Sequence, residues 1–125
     1  MLIRFSCDLG EAIGIWVYGY PKIGKEYYIE IDITQEIVNW TFSSREKIGI
    51  LVNNNFINMI CSVDVIDDSS NLVMVRVNHD TFHIAFQDKC GMKIGDCIEI
   101  SLEGTQVLLY DYDFENGQAY DGIYD

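Results

Sequence analysis

Proline occurs once, histidine twice, and no lysine or arginine follows residue 93. The lone Pro21 leaves the rest of the chain free of the residue that most often interrupts a strand. No apolar run approaches the roughly 20 residues that a membrane-crossing helix needs. Met1 to Gly10 is broken by Arg4 and Asp8, so it does not read as a secretory leader, and a soluble cytoplasmic protein is expected. Cys7, Cys61, Cys90 and Cys97 lack the short paired spacings of a zinc site or a disulfide framework, which predicts reduced, mostly buried thiols.

Motifs that would carry chemistry are also scarce. Gly10, Gly14, Gly19 and Gly24 match neither a dinucleotide fingerprint nor a phosphate-binding loop. His79 and His83 have the spacing of a helical ligand pair, but they stand in an alternating segment. On a strand, residues four apart lie about 13 Å from each other, too far to share one ion. Asp67-Asp68-Ser69-Ser70-Asn71 is rich in oxygen ligands yet lacks the EF-hand pattern and reads as a turn. No recognised nucleophile motif surrounds Cys90, which is expected to be a buried structural thiol. The expectation is a protein without catalytic residues, metal or cofactor.

What is present is alternation with period two, the signature of half-buried strands. Tyr27, Ile29, Ile31 and Ile33 alternate with Tyr28, Glu30, Asp32 and Thr34. Ile57, Met59, Cys61, Val63 and Val65 form one apolar face, followed across the 67–71 turn by Val73, Val75 and Val77, a hairpin. Phe82, Ile84 and Phe86 predict another strand, as do Ile98, Ile100 and Leu102. Leu2 to Leu9 and Ile13 to Tyr18 flank Gly10-Glu11 as an opening hairpin. Lys22-Ile23-Gly24 and Lys93-Ile94-Gly95 each place a glycine turn ahead of a strand.

The segment 43–52 leaves two readings open. Ser43 and Glu46 match a capping box and Ile48, Leu51 and Val52 fit one face of a short helix, while Gly49 and Asn53-Asn54-Asn55 oppose it. Near the end, Asn116-Gly117 predicts a C-terminal hairpin that pairs Tyr112 with Asp121, Tyr110 with Ile123 and Asp113 with Tyr120. The whole predicts a single all-β domain over 1–125 with at most one short helix. Its form is a small antiparallel barrel or sandwich with the rhythm of OB-like and SH3-like barrels.

Charge is distributed unevenly. Residues 1–93 hold all 8 basic residues and 12 of the 20 acids, a net of −4, so the last 32 residues contribute −8 of the total −12. Such a field repels nucleic acid and anionic membrane and attracts basic protein surfaces. The same segment carries Tyr110, Tyr112, Phe114, Tyr120 and Tyr124, and tyrosines are common interface anchors.

An acidic excess, an acidic-aromatic ribbon and no catalytic motif together resemble the immunity proteins that bacteria encode beside polymorphic or contact-delivered toxins. The resemblance implies binding of a cognate basic toxin domain, often a nuclease, whose active site is covered by carboxylates. Tyr112, Asp113, Glu115, Tyr120 and Asp121 are then the expected contact residues, with Glu99 and Glu103 as a second patch. The competing expectation is a structural or regulatory β-barrel that self-assembles or joins a larger complex through strand edges, so a homo-oligomer stays open.

Overall fold

Period-two segments become strands wherever one face has a core to cover, and this chain consists of little else. The computed structural model describes residues 1–43 and 48–111. Among them the elements are β1 (Leu2–Cys7), β2 (Gly10–Trp16), β3 (Ile29–Ile33), β4 (Trp40–Phe42), β5 (Gly49–Asn53), β6 (Phe56–Ile66), β7 (Leu72–Val77), β8 (Asp80–Ala85), β9 (Cys97–Glu103) and β10 (Val107–Asp111). One 3-10 turn at Gly104–Gln106 separates the last two. No described helix is long and apolar enough to cross a membrane.

The strands join into one sheet that curls into a half-barrel. Pairing is antiparallel except for β10 with β2 and β2 with β5. The long β6 organises the sheet because it is paired on both edges. Ile57 has Val52 on one side and Leu102 on the other, while Ser62 has Arg76 and Cys97. So β9 runs along one edge, and β5 and β7 share the other. From that fork one branch leads through β5, β2 and β10 to β3, and the second through β7 to β8.

Inside the curl lie Val63, Val73, Val75, Ile84, Phe86, Ile98, Ile100, Leu102 and Leu109, all fully buried. Each such side chain contributes about 1.5–3 kcal/mol relative to exposure. Ile29, Ile31 and Ile33 pack against this core but remain half-buried, because β3 has a neighbour on one edge alone among the described residues.

The hairpin through the 67–71 turn, the strands at 29–33, 80–85 and 97–103, and the positive φ of Gly24 and Gly95 agree with the alternation and turn chemistry. One open reading is resolved and three expectations are corrected. Residues 49–53 form β5, paired to β6 through an Asn54-Asn55 turn in which Asn54 takes a φ of 56°, so Leu51 and Val52 belong to a strand. Glu46, the other half of the expected cap, lies outside the described residues. The opening hairpin turns at Asp8-Leu9, two residues early, because Cys7 pairs with Gly10.

A bulge at Asp64 shifts the register between Val63 and Val65, which turns Val65 outward to 49% exposure. The extra residue releases Asp64 to pair with Arg76 at 2.7 Å. The thiols are less buried than expected, with Cys7 and Cys90 exposed and Cys97 half-buried. Only Cys61 is fully buried, and loss of hydration, with the neighbouring Cys97 adding to it, pushes its thiol up to about 12.

The 67–71 turn is built around one carboxylate. Asp67 accepts hydrogen bonds from the Ser69 N–H at 2.9 Å, the Ser69 hydroxyl at 2.7 Å and the Ser70 hydroxyl at 3.0 Å. Lys89 clamps the same turn by donating to the carbonyls of Asp67 and Ser70. The Ser69 and Ser70 hydrogen bonds, followed by the charge of Lys89, hold the Asp67 carboxyl below the ordinary carboxylate value. A depressed folded value means the turn is stabilised above the unfolded carboxylate pKa, about 3.9, and loses that support as pH falls through the lower folded one. An NMR titration of the Asp67 carboxyl should therefore have its midpoint below about 3.9. Replacing Ser69 and Ser70 by alanine should move the midpoint back up.

Candidate functional site

The two ends of the forked sheet, β3 and β8, face each other across an open groove of about 820 Å³. Its floor and walls come from the β1–β2 turn at Cys7, Asp8 and Leu9, the segment 27–33, the start of β8 from Asp80 to His83, and Tyr110 of β10. The groove exists because the fork at β6 sends the branches in different directions. One point of contact closes one end: Ile37 forms an isolated parallel bridge with Phe86, just beyond β8.

The lining is acidic and aromatic. Asp8, Glu30, Asp32 and Asp80 contribute carboxylates, Tyr27, Tyr28 and Tyr110 contribute rings, and among the described residues no lysine or arginine lines it. Among the described residues none of these four carboxylates takes part in an ion pair or a side-chain hydrogen bond. Most other described acids are engaged. Glu11 pairs with Arg4, Asp64 with Arg76, Asp88 accepts from the Cys90 N–H, Asp96 from the Lys93 N–H, and Glu36 from the Asn71 amide.

Tyr28 is 81% exposed. Tyr27 is fixed by an edge contact with Trp16 and by the Lys22 N–H, which donates to its hydroxyl at 2.8 Å. The Lys25 ammonium stands over the Tyr27 ring, 5.0 Å from its centre, so a groove aromatic already receives an ammonium group.

Of the residues expected from the sequence, Tyr112, Asp113, Glu115, Tyr120 and Asp121, together with the Asn116-Gly117 hairpin, lie outside the described residues. Tyr110, expected opposite Ile123, has Glu30 of β3 as its strand partner. Glu99 is half-buried in β9 between Thr41 and Ile60. Glu103 is exposed at the end of the same strand, about 13 Å away by strand rise. There its N–H donates to Gln106 at 2.8 Å and its carboxylate accepts from Thr105, so it caps the 3-10 turn. Asp111, another acid of the last quarter, is 5% exposed. The described acids of that quarter do not gather in one place.

The groove carboxylates escape a linear reading because they come from three separate stretches. Glu30 and Asp32 were visible as the polar face of an alternating strand. Nothing local tells that this face borders an opening. His83 stands on β8 and His79 in the turn before it, as the alternation implies, and no cluster of three potential metal ligands occurs among the described residues. The chain matches no protein-family model, no curated protein sequence and no solved structure, so any reading of the groove rests on its own residues.

Proposed function

We infer that this protein is a binding module for a cationic protein surface, and that it works as an inhibitor of the immunity-protein kind in a bacterial cytoplasm. In this reading it neutralises a basic toxin domain, such as a nuclease, by covering the active site with carboxylates and tyrosines, and does no chemistry itself. One observation carries the reading: four carboxylates without ion-pair partners among the described residues share a groove with three tyrosines and, among the described residues that line it, no lysine or arginine. Beyond Asp111 the sequence adds Asp113, Glu115, Asp121 and Asp125 and no cation, so the charge of the remaining chain has the same sign. Tyr112, Asp113, Glu115, Tyr120 and Asp121 remain proposed contacts on that ground.

Exposed ion pairs contribute only about 0.2–1 kcal/mol each, so the acids act chiefly on encounter and orientation, with the tyrosines supplying desolvated contact. Self-assembly through strand edges is the second reading, favoured by the sides of β3 and β8 that pair with no strand among the described residues. Salt separates the two. Titrated with poly-L-lysine, the full chain should lose about tenfold or more in affinity as ionic strength rises from about 0.01 to 0.15 M and the screening length shrinks from about 30 to 8 Å. The double variant Glu30→Gln with Asp32→Asn should bind about tenfold more weakly at low salt. Asp68→Asn removes an exposed acid in the 67–71 turn and should bind like the parent. Equal losses in both variants, or binding indifferent to salt, would overturn the groove as the site.

A further inference from the structure

In an antiparallel ladder, alternate residues turn both backbone groups to the same side. The Thr34 N–H donates to the Gln106 carbonyl at 3.1 Å, so Thr34, and by alternation Asp32 and Glu30, face β10. Ile29, Ile31 and Ile33 therefore turn their N–H and C=O groups into the groove, where none has a partner among the described residues. On the opposite wall the Phe86 N–H donates to Asn71 at 2.8 Å, which leaves Thr81, His83 and Ala85 facing the groove. Ala85 is already used: its carbonyl accepts from Ile37 at 2.7 Å, and Gln87 donates back to the Ile37 carbonyl at 3.0 Å. The groove is a cleft between two strand edges, and beyond one end Ile37, alone among the described residues, pairs with that edge as an added strand would.

Resting on the cationic-partner reading, we propose that the free edge of β3 receives an extended segment of that partner as an additional antiparallel strand. Its backbone pairs with Ile29, Ile31 and Ile33, and its alternate lysine or arginine side chains lie beside Glu30 and Asp32. The register is self-consistent. Residues hydrogen-bonded to the three isoleucines point their side chains inward and cover the half-buried apolar row, which suits valine or isoleucine. Residues between them fall opposite Glu30 and Asp32 in the closer, non-hydrogen-bonded pairs, where opposite charge is favoured.

Charge selects this occupant over the alternatives. A second copy paired through the same edge would set Glu30 and Asp32 against their own counterparts, and like charges directly opposite destabilise a sheet. Residues 112–125 carry four acids and no lysine or arginine, so they meet the same repulsion. Edge β8 turns Thr81, His83 and Ala85 to the groove with Phe82 and Ile84 between them, so it lacks the paired acids.

The test uses the full chain and a decapeptide of alternating lysine and valine, beside a twin whose valine amides are N-methylated. The twin keeps every charge and loses the donors aimed at β3. The parent peptide is expected to bind, and the twin about tenfold or more weakly, since two or more strand hydrogen bonds are removed. Ile31→Pro should weaken the parent peptide similarly. Its N–H points into the groove, so proline there spares the bonds to β10. Should that variant fail to fold, the twin decides.

Equal binding of the two peptides would overturn strand addition while leaving the cationic reading intact. Binding of poly-L-lysine without binding of the decapeptide would have the same meaning. If none of the three binds, both readings fall, and Glu30 and Asp32 serve only to keep an open edge from pairing.

Discussion

Gly10→Ala is expected to unfold with a loss of about 3 kcal/mol or more, which for a chain of this size lowers Tm by roughly 10–15 °C. Gly10 has a φ of 127°, a region nearly closed to residues with a Cβ, and a Cβ there would stand 2.2 Å from the Ile50 carbonyl oxygen. The approach is close because Gly10 and Ile50 are the Cα partners through which β2 meets β5, with the Ile50 N–H donating to Leu9 at 2.7 Å. Backbone strain and collision therefore act together at the β2–β5 seam, through which the branch carrying β3 is joined to the fork at β6. Gly24→Ala separates the two effects: its φ is 83° and nothing lies within 4 Å, so only the conformational cost of about 1–2 kcal/mol applies. Thermal and urea unfolding of the pair would settle the matter. If Gly10→Ala were no less stable than Gly24→Ala, the β2–β5 seam would not be packed as described.

That seam also marks how far the sequence can be read. The β6–β7 hairpin was legible because Val73, Val75 and Val77 repeat with period two on the far side of a turn rich in Asp, Ser and Asn. Its flaw was not legible. The bulge at Asp64 inserts one residue into an unbroken alternation, and the pattern continues to show Val65 as core although it faces solvent. The run Asn53-Asn54-Asn55 opposed a helix correctly, and the tolerance of asparagine for positive φ was the unused signal for a hairpin turn. The same chemistry recurs at Asn78, with a φ of 56°, between β7 and β8.

The groove was beyond reach for a different reason. Asp8, Glu30 and Asp80 are brought together by a parallel contact between β2 and β5 and by a fork at β6, and neither leaves a trace in local periodicity. Charge counted along the chain pointed to the last quarter. Charge counted by unpaired carboxylates in space points to β3.

Phe86→Ala is expected to cost about 3–5 kcal/mol, a large part of the 5–15 kcal/mol that holds a domain of this kind together. Phe86 is fully buried, its ring meets Trp40 edge-on at 6.2 Å, and its backbone lies between Asn71 and the Ile37 bridge. Trp40 is itself anchored through its indole N–H to the Asp88 carbonyl at 2.8 Å, so the surrounding groups cannot collapse freely into the void. Phe86→Leu keeps most of the volume and should cost no more than about 1.5 kcal/mol. Phe86 is also the bridge partner of Ile37, whose backbone is bonded to Ala85 and Gln87 on either side of it. In Phe86→Ala the Ile37 amide, 2.7 Å from Ala85 in the parent, should lose hydrogen-exchange protection before global unfolding, whereas amides of β6 and β9 should exchange only with it. Uniform loss of protection at Ile37, β6 and β9 would mean that the closed end of the groove is not an independent latch, and that β3 and β8 are held by the core as one unit.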